Sequence, residues 1–269
     1  MKKFLKMLAA LCMVLLTAQV YAEGEQSTVD VWNSVLKDKY FKGIDIKKGE
    51  SIIKLKTPYR AEDSAIVPIS ITATIPQKPD LYIKKVYIFI DQNPMPLAAK
   101  FTLTPEMGKA DLAMRIRIDK YTDVRAIAEL SNGEYYMDVH FVKAQGGCSA
   151  PAQGDLKAAL ARRGKMRYRT LSEDLKDGLA LGQLMVSHPN LTGLQLDQRT
   201  RAFIPANYIK KIDVKYNGKL ILTAETGISV SADPSFRFFF KPQDGGGELT
   251  ADAVSSTGED FEHQFKVKI

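Results

Sequence analysis

The chain has 269 residues, of which 45% are hydrophobic and 26% charged, enough for two domains that each bury a core. Its formal net charge of +7 comes from 38 basic and 31 acidic residues spread along the chain. Three basic residues, Lys2, Lys3 and Lys6, lie in the first segment, and without them 35 basic residues face 31 acidic ones. So small and dispersed an excess argues against nucleic acid or an anionic membrane as a partner.

Residues 1–22 have the pattern of a secretory signal peptide. A positively charged start is followed by an apolar run from Met7 to Leu16 and by small residues before a cleavage point after Ala22. Because the apolar run is shorter than the roughly 20 residues that cross a bilayer, we expect export and no membrane insertion after cleavage. Cleavage would remove Cys12 and leave Cys148 as the single cysteine of the mature chain.

A short helix is predicted near the start of the mature chain. In "TVDVWNSVLKDKYF", the residues Val29, Trp32, Val35, Leu36 and Tyr40 recur at helical spacing, and the Ser-Thr pair at its start can cap the helix. We expect the tryptophan to anchor this helix to a sheet rather than to bind a ligand.

Period-two alternation follows, up to about residue 142. "VPISITATI" puts Val67, Ile69 and Ile71 on one face and Ser70 and Thr72 on the other, which is typical of a half-buried antiparallel strand. The same alternation recurs in "DLAMRIRID", "DVRAIAEL" and "YYMDVHFV", with a tight turn at "SNGE". Strands about ten residues apart, separated by turn signals, predict a β-sandwich.

The segment "SAPAQGDLKAALARRGK" interrupts the strands and predicts a helical linker, with Asp155 as its cap and Gly164 at its end. A second strand-rich run follows in "MRYRTL", "ALGQLMVSH", "YIKKIDVKYNGKLILTAE", "SFRFFFKP" and "HQFKVKI". "YNGK" predicts a tight hairpin turn, and "PQDGGGEL" predicts a looser one. The fold class is therefore all-β, with a second sandwich after the linker.

The usual patterns of catalytic and metal sites are missing from the sequence. The three histidines, His140, His188 and His263, are scattered and form no ligand-type spacing with cysteine. No glycine-rich loop opens a helix, and neither a nucleophile elbow nor a distinct carboxylate pair is present. We expect no catalytic residue, no metal and no cofactor.

The remaining candidate is Cys148, in "KAQGGCSAP". Gly146 and Gly147 give the backbone before it freedom and add no side chains, so we expect an exposed thiol on a flexible arm. Six residues from Val142 would extend about 20 Å at roughly 3.3 Å each. Because neither a resolving cysteine nor a positioned histidine accompanies it, Cys148 is predicted to be an attachment point and not a catalyst.

These segments resemble the SoxY and SoxZ sulfur carriers, joined in one chain. "AIVPISITATIP", "KKVYIFIDQNPMPLAAKFTLTP", "MRIRI", "DVRAIAELSNGEYY" and "VKAQGGC" are similar to SoxY over about residues 40–148. "VSHPNLTGLQ", "IPANYIKKIDVKYNGKLILTAE" and "SADPSFRFFF" are similar to SoxZ over about 165–269. The resemblance implies two immunoglobulin-like β-sandwich domains: a SoxY-like domain over 23–150 that ends in the carrier cysteine segment, and a SoxZ-like domain over 165–269 after a linker over 151–164.

The resemblance also implies a periplasmic carrier that holds a thiosulfate-like intermediate on Cys148, with Gly146 and Gly147 as its flexible lead. The implied partners are sulfur-oxidation enzymes or those of a periplasmic quinoprotein dehydrogenase system, together with c-type cytochromes. One departure matters, because SoxY ends just after a Gly-Gly-Cys-Gly-Gly tail, whereas here "GGCSAP" continues into the second domain. An arm tethered at both ends has a shorter reach.

Two other interpretations stay open. In the first, the tandem sandwiches are a binding or scaffold module for a periplasmic dehydrogenase or cytochrome, and Cys148 forms a disulfide-linked dimer. In the second, the chain is a one-cysteine peroxidase, which would require peroxide to oxidise Cys148 much faster than free cysteine.

Overall fold

The computed structural model describes residues 30–151, 155–171 and 177–268, so the predicted signal peptide and the predicted start of the first helix lie outside it. The N-terminal helix has a π-helical turn, Trp32–Leu36, followed by α1, Lys37–Phe41. A 3₁₀ turn lies at Pro105–Met107, and α2 is Leu156–Ala161. The described strands are β1 Ile46–Lys48, β2 Ile53–Lys56, β3 Val67–Ala73, β4 Ile83–Ile90, β5 Leu97–Leu103, β6 Leu112–Ile116, β7 Thr122–Leu130, β8 Tyr135–Val142, β9 Met166–Thr170, β10 Ala180–Val186, β11 Ile209–Tyr216, β12 Lys219–Thr226, β13 Ser235–Phe240, β14 Gly247–Ser255 and β15 Asp260–Val267.

The strands form two sheets that both halves of the chain share. The nine-stranded sheet has the order β1-β8-β7-β4-β5-β12-β11-β14-β15, and the six-stranded sheet has the order β2-β3-β6-β13-β10-β9. The halves meet edge to edge, where β5 pairs with β12 in one sheet and β6 pairs with β13 in the other. Each half is thus a sandwich of its own, which confirms the predicted all-β class with two immunoglobulin-like sandwiches, a short N-terminal helix and a helical linker.

Alternating side chains fill the space between the sheets. In β3, "VPISITA", the residues Val67, Ile69 and Ile71 are buried while the residues between them face outward. The buried cluster runs through both halves without a break. Phe101 of β5 and Phe236 of β13 illustrate this, because their rings meet edge to face at a centroid distance of 5.6 Å across the junction.

The N-terminal helix covers part of the outer face of the nine-stranded sheet. Trp32 and Phe41 pack against Phe89 of β4 and Ile127 of β7, and the Trp32 and Phe89 rings are 5.7 Å apart. The prediction that Trp32 anchors the helix to a sheet is confirmed. In the described part of the chain, no helix is long and apolar enough to cross a membrane.

The two predicted hairpin turns have different outcomes. Asn217 and Gly218 in "YNGK" have φ of 47° and 76°, as a tight turn requires, and join the antiparallel pair β11 and β12. The hairpin predicted at "PQDGGGEL" is wrong, because β13 pairs with β6 and β10 while β14 pairs with β11 and β15. There the chain passes from one sheet to the other, and a turn motif alone does not specify the pairing of its flanking strands.

Replacing Phe101 tests whether the halves form one cooperative core. Because its side chain is fully buried at the junction, Phe101→Ala should lower the free energy of unfolding by about 3–5 kcal/mol. The control Phe203→Ala, at a residue that is 67% exposed, should change it by less than about 0.5 kcal/mol. Urea unfolding followed by circular dichroism should show a single transition, and two transitions of which Phe101→Ala moves only one would contradict a shared core.

Candidate functional site at Cys148

Cys148 lies in the connection between β8 and α2, and we call residues 144–150 the Cys148 segment. Backbone pairing continues one residue beyond β8, because Lys143 N donates to Tyr59 O at 2.7 Å and Ala61 N donates to Lys143 O at 3.1 Å. A released arm would therefore begin at Ala144. Its four residues to the cysteine extend about 13 Å at roughly 3.3 Å each, which is shorter than the arm expected from the sequence.

The two glycines of this segment are held by the backbone beside them. Gly146 N donates to Asp119 O and Gly147 N to Ile118 O, both at 2.9 Å. A Cβ atom on Gly147 would lie 2.1 Å from Ser64 O, so only glycine fits there, and Gly146 has a φ of 80°. These glycines permit close backbone contact and a left-handed turn, so the predicted flexible lead is an ordered, hydrogen-bonded segment in this structure.

The Cys148 side chain is buried, with no exposed area. Burial raises the pKa of its thiol to about 12, and the negative charge of Asp119 adds to this shift while the positive charge of Arg117 opposes it. The expectation of a solvent-exposed thiol is therefore wrong, because the glycines bring the segment inward against the backbone near β6. In this conformation the sulfur is a protonated thiol at neutral pH and a poor nucleophile.

A loop of the second half closes over the segment. Thr192 Oγ1 donates to Cys148 O at 2.6 Å, and Gln195 Nε2 donates to Ala150 O at 2.9 Å. Gln195 Oε1 also accepts from Thr192 N at 3.1 Å, which fixes the two side chains relative to each other. Sequence patterns did not identify these residues, since Thr and Gln in a loop give no chemical signal on their own.

Buried polar contacts hold this loop in place. Asn190 Nδ2 donates to Val230 O and Ser231 O, both at 3.3 Å, and Asn190 Oδ1 accepts from Ile209 N at 3.1 Å. His188 is fully buried beside Asn190, and desolvation lowers the pKa of its imidazole to about 4. The loop therefore presents Thr192 and Gln195 from a rigid support.

The three histidines do not assemble into a site. His188 contacts Asn190 within the loop described above. His140 lies on the surface, with its Nε2 atom 3.6 Å from Asp138 Oδ2, and His263 lies in β15. Within residues 30–151, 155–171 and 177–268, no group of three or more His, Cys, Asp or Glu side chains is placed to hold a metal ion.

Arg117 is the most unusual residue beside the cysteine. It is only 3% exposed, and its Nη1 donates to Gly147 O at 3.2 Å. Its Nε has no hydrogen-bond partner among the described residues, and burial lowers the pKa of its guanidinium. Since arginine stays protonated in proteins, a buried cation with an unused donor lies next to the thiol.

The rate at which iodoacetamide labels Cys148 measures how strongly the fold protects the thiol from reagents in solution. At pH 8 the native chain should react about a thousandfold more slowly than the urea-unfolded chain, because the closed segment leaves the thiol with no exposed area and burial raises its pKa. The native rate should keep rising about tenfold per pH unit from pH 8 to 10 instead of levelling near the ordinary thiol pKa. Equal rates in the native and unfolded chains would contradict the burial.

Thr192→Val should speed this labelling about fivefold, because it removes one hydrogen bond that holds the segment closed. Thr223→Val is the matched control, since Thr223 Oγ1 donates to Asp213 Oδ1 at 2.6 Å in β12, away from the segment. The same acceleration in both variants would indicate general destabilisation of the fold and not a specific role of Thr192 in holding the Cys148 segment closed.

Solved structures resemble parts of the chain. The sulfur carrier protein SoxY from Chlorobium limicola f thiosulfatophilum is 26% identical, with a TM-score of 0.34 over 40% of this chain and 88% of that one. A putative superoxide reductase from Thermotoga maritima is 11% identical, with a TM-score of 0.33 over 38% of this chain and 95% of that one. No curated protein sequence matches the chain.

Family models match most of the chain in two consecutive parts. The model described as sulfur oxidation protein SoxY matches residues 37–148, so the match ends at Cys148. The model described as sulphur oxidation protein SoxZ matches residues 168–266. The chain therefore belongs to the SoxY and SoxZ families of sulfur-oxidation proteins, with both domains fused in one polypeptide.

Proposed function

We propose that this fused chain is a periplasmic carrier that holds a thiosulfate-like group covalently on Cys148 and presents it to partner oxidation enzymes. The observation that carries the proposal is the position of Cys148, which lies at the end of the SoxY match and whose backbone oxygen accepts a hydrogen bond from Thr192 of the SoxZ half. The signal-peptide pattern of residues 1–22 supports the periplasmic location. The chain itself is proposed to hold cargo and not to catalyse its conversion.

Attachment of thiosulfate to the thiol is an oxidation. A disulfide bond forms between Cys148 Sγ and the terminal sulfur of thiosulfate, the thiol proton goes to solvent, and two electrons leave. We propose that a c-type cytochrome accepts these electrons. The further partners are enzymes of sulfur oxidation or of a quinoprotein dehydrogenase system, which would oxidise or hydrolyse the bound group.

This chemistry requires the Cys148 segment to open. Opening breaks five hydrogen bonds, one each at Gly146, Cys148 and Ala150 and two at Gly147. Each is worth about 0.5–1.5 kcal/mol net, or about 2.5–7.5 kcal/mol together. Because global unfolding of a domain costs about 5–15 kcal/mol, the segment can open while both sandwiches stay folded. Once in water the thiol regains an ordinary pKa near 8.5 and becomes reactive.

Arg117 is suited to the closed, loaded state. Its positive charge acts on the Cys148 sulfur, since it opposes the rise in the thiol pKa, and its Nε is an unused donor within the described structure. A sulfur oxyanion on the cysteine would bring negative charge toward this buried cation. Their attraction, strong away from water, would favour reclosure of the segment over the cargo.

The covalent cargo is directly measurable. Chain purified from the periplasm of a thiosulfate-oxidising host should show mass increments on Cys148 that dithiothreitol removes, because a disulfide-linked group is reducible. Cys148→Ser should carry none, while the neighbouring control Ser149→Ala should keep them. A bare thiol on every sulfur source tested would refute the carrier role.

The burial of Cys148 is the one observation that favours the alternative, a scaffold for a periplasmic dehydrogenase or cytochrome. The same variants separate the two functions. With Cys148→Ser, a carrier loses its support of sulfur oxidation altogether, whereas a scaffold keeps both that support and its binding of partners.

A further inference from the structure

The outer face of the six-stranded sheet contains a groove of about 840 Å³ that extends across both halves of the chain. All six strands contribute to its lining, β2, β3 and β6 from the first half and β13, β10 and β9 from the second. The groove is complete only because β6 pairs with β13, so it is a property of the joined sandwiches.

Strand register arranges the lining side chains in two rows. In the first row each residue is paired with the next, one from every strand: Lys56, Ser70, Ala113, Arg237, Gln183 and Arg169. The second row lies two residues along the strands, from β3 to β9: Pro68, Arg115, Ser235, Met185 and Arg167. Because residues two apart in a strand share a face, both rows point outward.

The groove is strongly basic. Five cations line it, Lys56, Arg115, Arg167, Arg169 and Arg237, and none of the described lining residues is Asp or Glu. These cations form no ion pair with any described residue of the chain. Their positive charge is therefore available to a ligand.

Neutral acceptors orient two of the guanidinium groups. Arg169 donates from Nε and Nη2 to Gln183 Oε1 at 2.9 and 2.7 Å, and Arg115 Nη2 donates to Asp233 O at 3.0 Å. A guanidinium has five N–H donors, so these contacts leave others for carboxylates. Arginine binds carboxylates well because its planar fork matches their geometry.

The size and shape of the groove favour an extended polypeptide over a single small anion. Six strands about 4.8 Å apart span about 24 Å, the length of roughly seven extended residues. Small side chains at Ser70, Ala113 and Ser235 leave room in the middle of the floor, and Pro68 and Met185 add apolar surface. Cations near both ends and in the centre would meet acidic side chains along such a segment.

We propose that this basic groove binds an acidic, extended segment of a partner protein. The groove also lies beside the cysteine, since Arg115 lines it and Arg117, two residues further along the chain, donates to Gly147 O. Two residues of extended chain span about 7 Å. A partner docked in the groove is thereby brought next to the Cys148 segment, although binding in the groove does not itself require Cys148.

Fluorescence anisotropy with synthetic peptides tests the proposal on the purified full chain. The probe is a fluorescein-labelled peptide of about ten alternating Glu and Ser residues, and its neutral counterpart has Gln for Glu. The acidic peptide should bind at about 0.02 M NaCl and lose most of its affinity at about 0.3 M, because salt screens exposed charges. The neutral peptide should not bind.

Paired variants separate the groove from general charge attraction. Arg169→Gln with Arg237→Gln should weaken binding about tenfold. Lys210→Gln with Lys266→Gln removes the same charge from exposed positions of the nine-stranded sheet and should leave binding unchanged. Thermal unfolding should confirm that both double variants remain folded.

Four results would overturn the proposal: no binding of the acidic peptide, equal losses in the two double variants, full displacement by millimolar sulfate, or equally tight binding of a short single-stranded DNA. The third would indicate a small-anion site and the fourth an unselective polyanion surface. Because the peptide-binding assay does not depend on Cys148, a negative result would not affect the carrier proposal. Conversely, finding Cys148 without a mass increment would refute the carrier proposal but not the proposed peptide binding in the groove.

Discussion

The edge pairing of β5 with β12 is the interaction on which the rest of the structure depends. Five residue pairs, from Leu103 with Leu222 to Ala99 with Thr226, join the nine-stranded sheet across the two halves. With the weaker pairing of β6 and β13, this junction makes one continuous core. It sets the second-half loop against the Cys148 segment and aligns the rows of the basic groove, so neither feature belongs to one half alone.

Closure of the Cys148 segment protects the Cys148 thiol from solvent but also makes it unreactive. Desolvation keeps the sulfur protonated, and the backbone bonds at Gly146 and Gly147 keep it inside. In the proposed periplasmic carrier, a thiol held in this way would be protected from unselective oxidation and would need an opening step before loading. A partner that engages the adjacent groove would act where that opening occurs.

Much of the fold could be predicted because it rests on local periodicity. The alternation in "VPISITATI" and the turn at "YNGK" both correspond to observed elements. The sequence gives no clear signal for β14, because the small residues Ala251 and Ala253 occupy its buried positions and weaken the apolar pattern. The false hairpin at "PQDGGGEL" shows the same limit, since strand pairing depends on residues far away in sequence.

The sequence by itself determined the all-β class, the tandem organisation and the family, and it proposed Cys148 as the attachment residue, because these depend on composition, local spacing and motif order. Only the tertiary structure decided that the thiol is buried, that Gly147 is needed for contact with Ser64, and that Thr192, Gln195 and Arg117 surround the segment. Desolvation and hydrogen bonding between residues distant in sequence arise from packing. A glycine pair that indicates freedom in a sequence can therefore be the place where two backbones meet most closely.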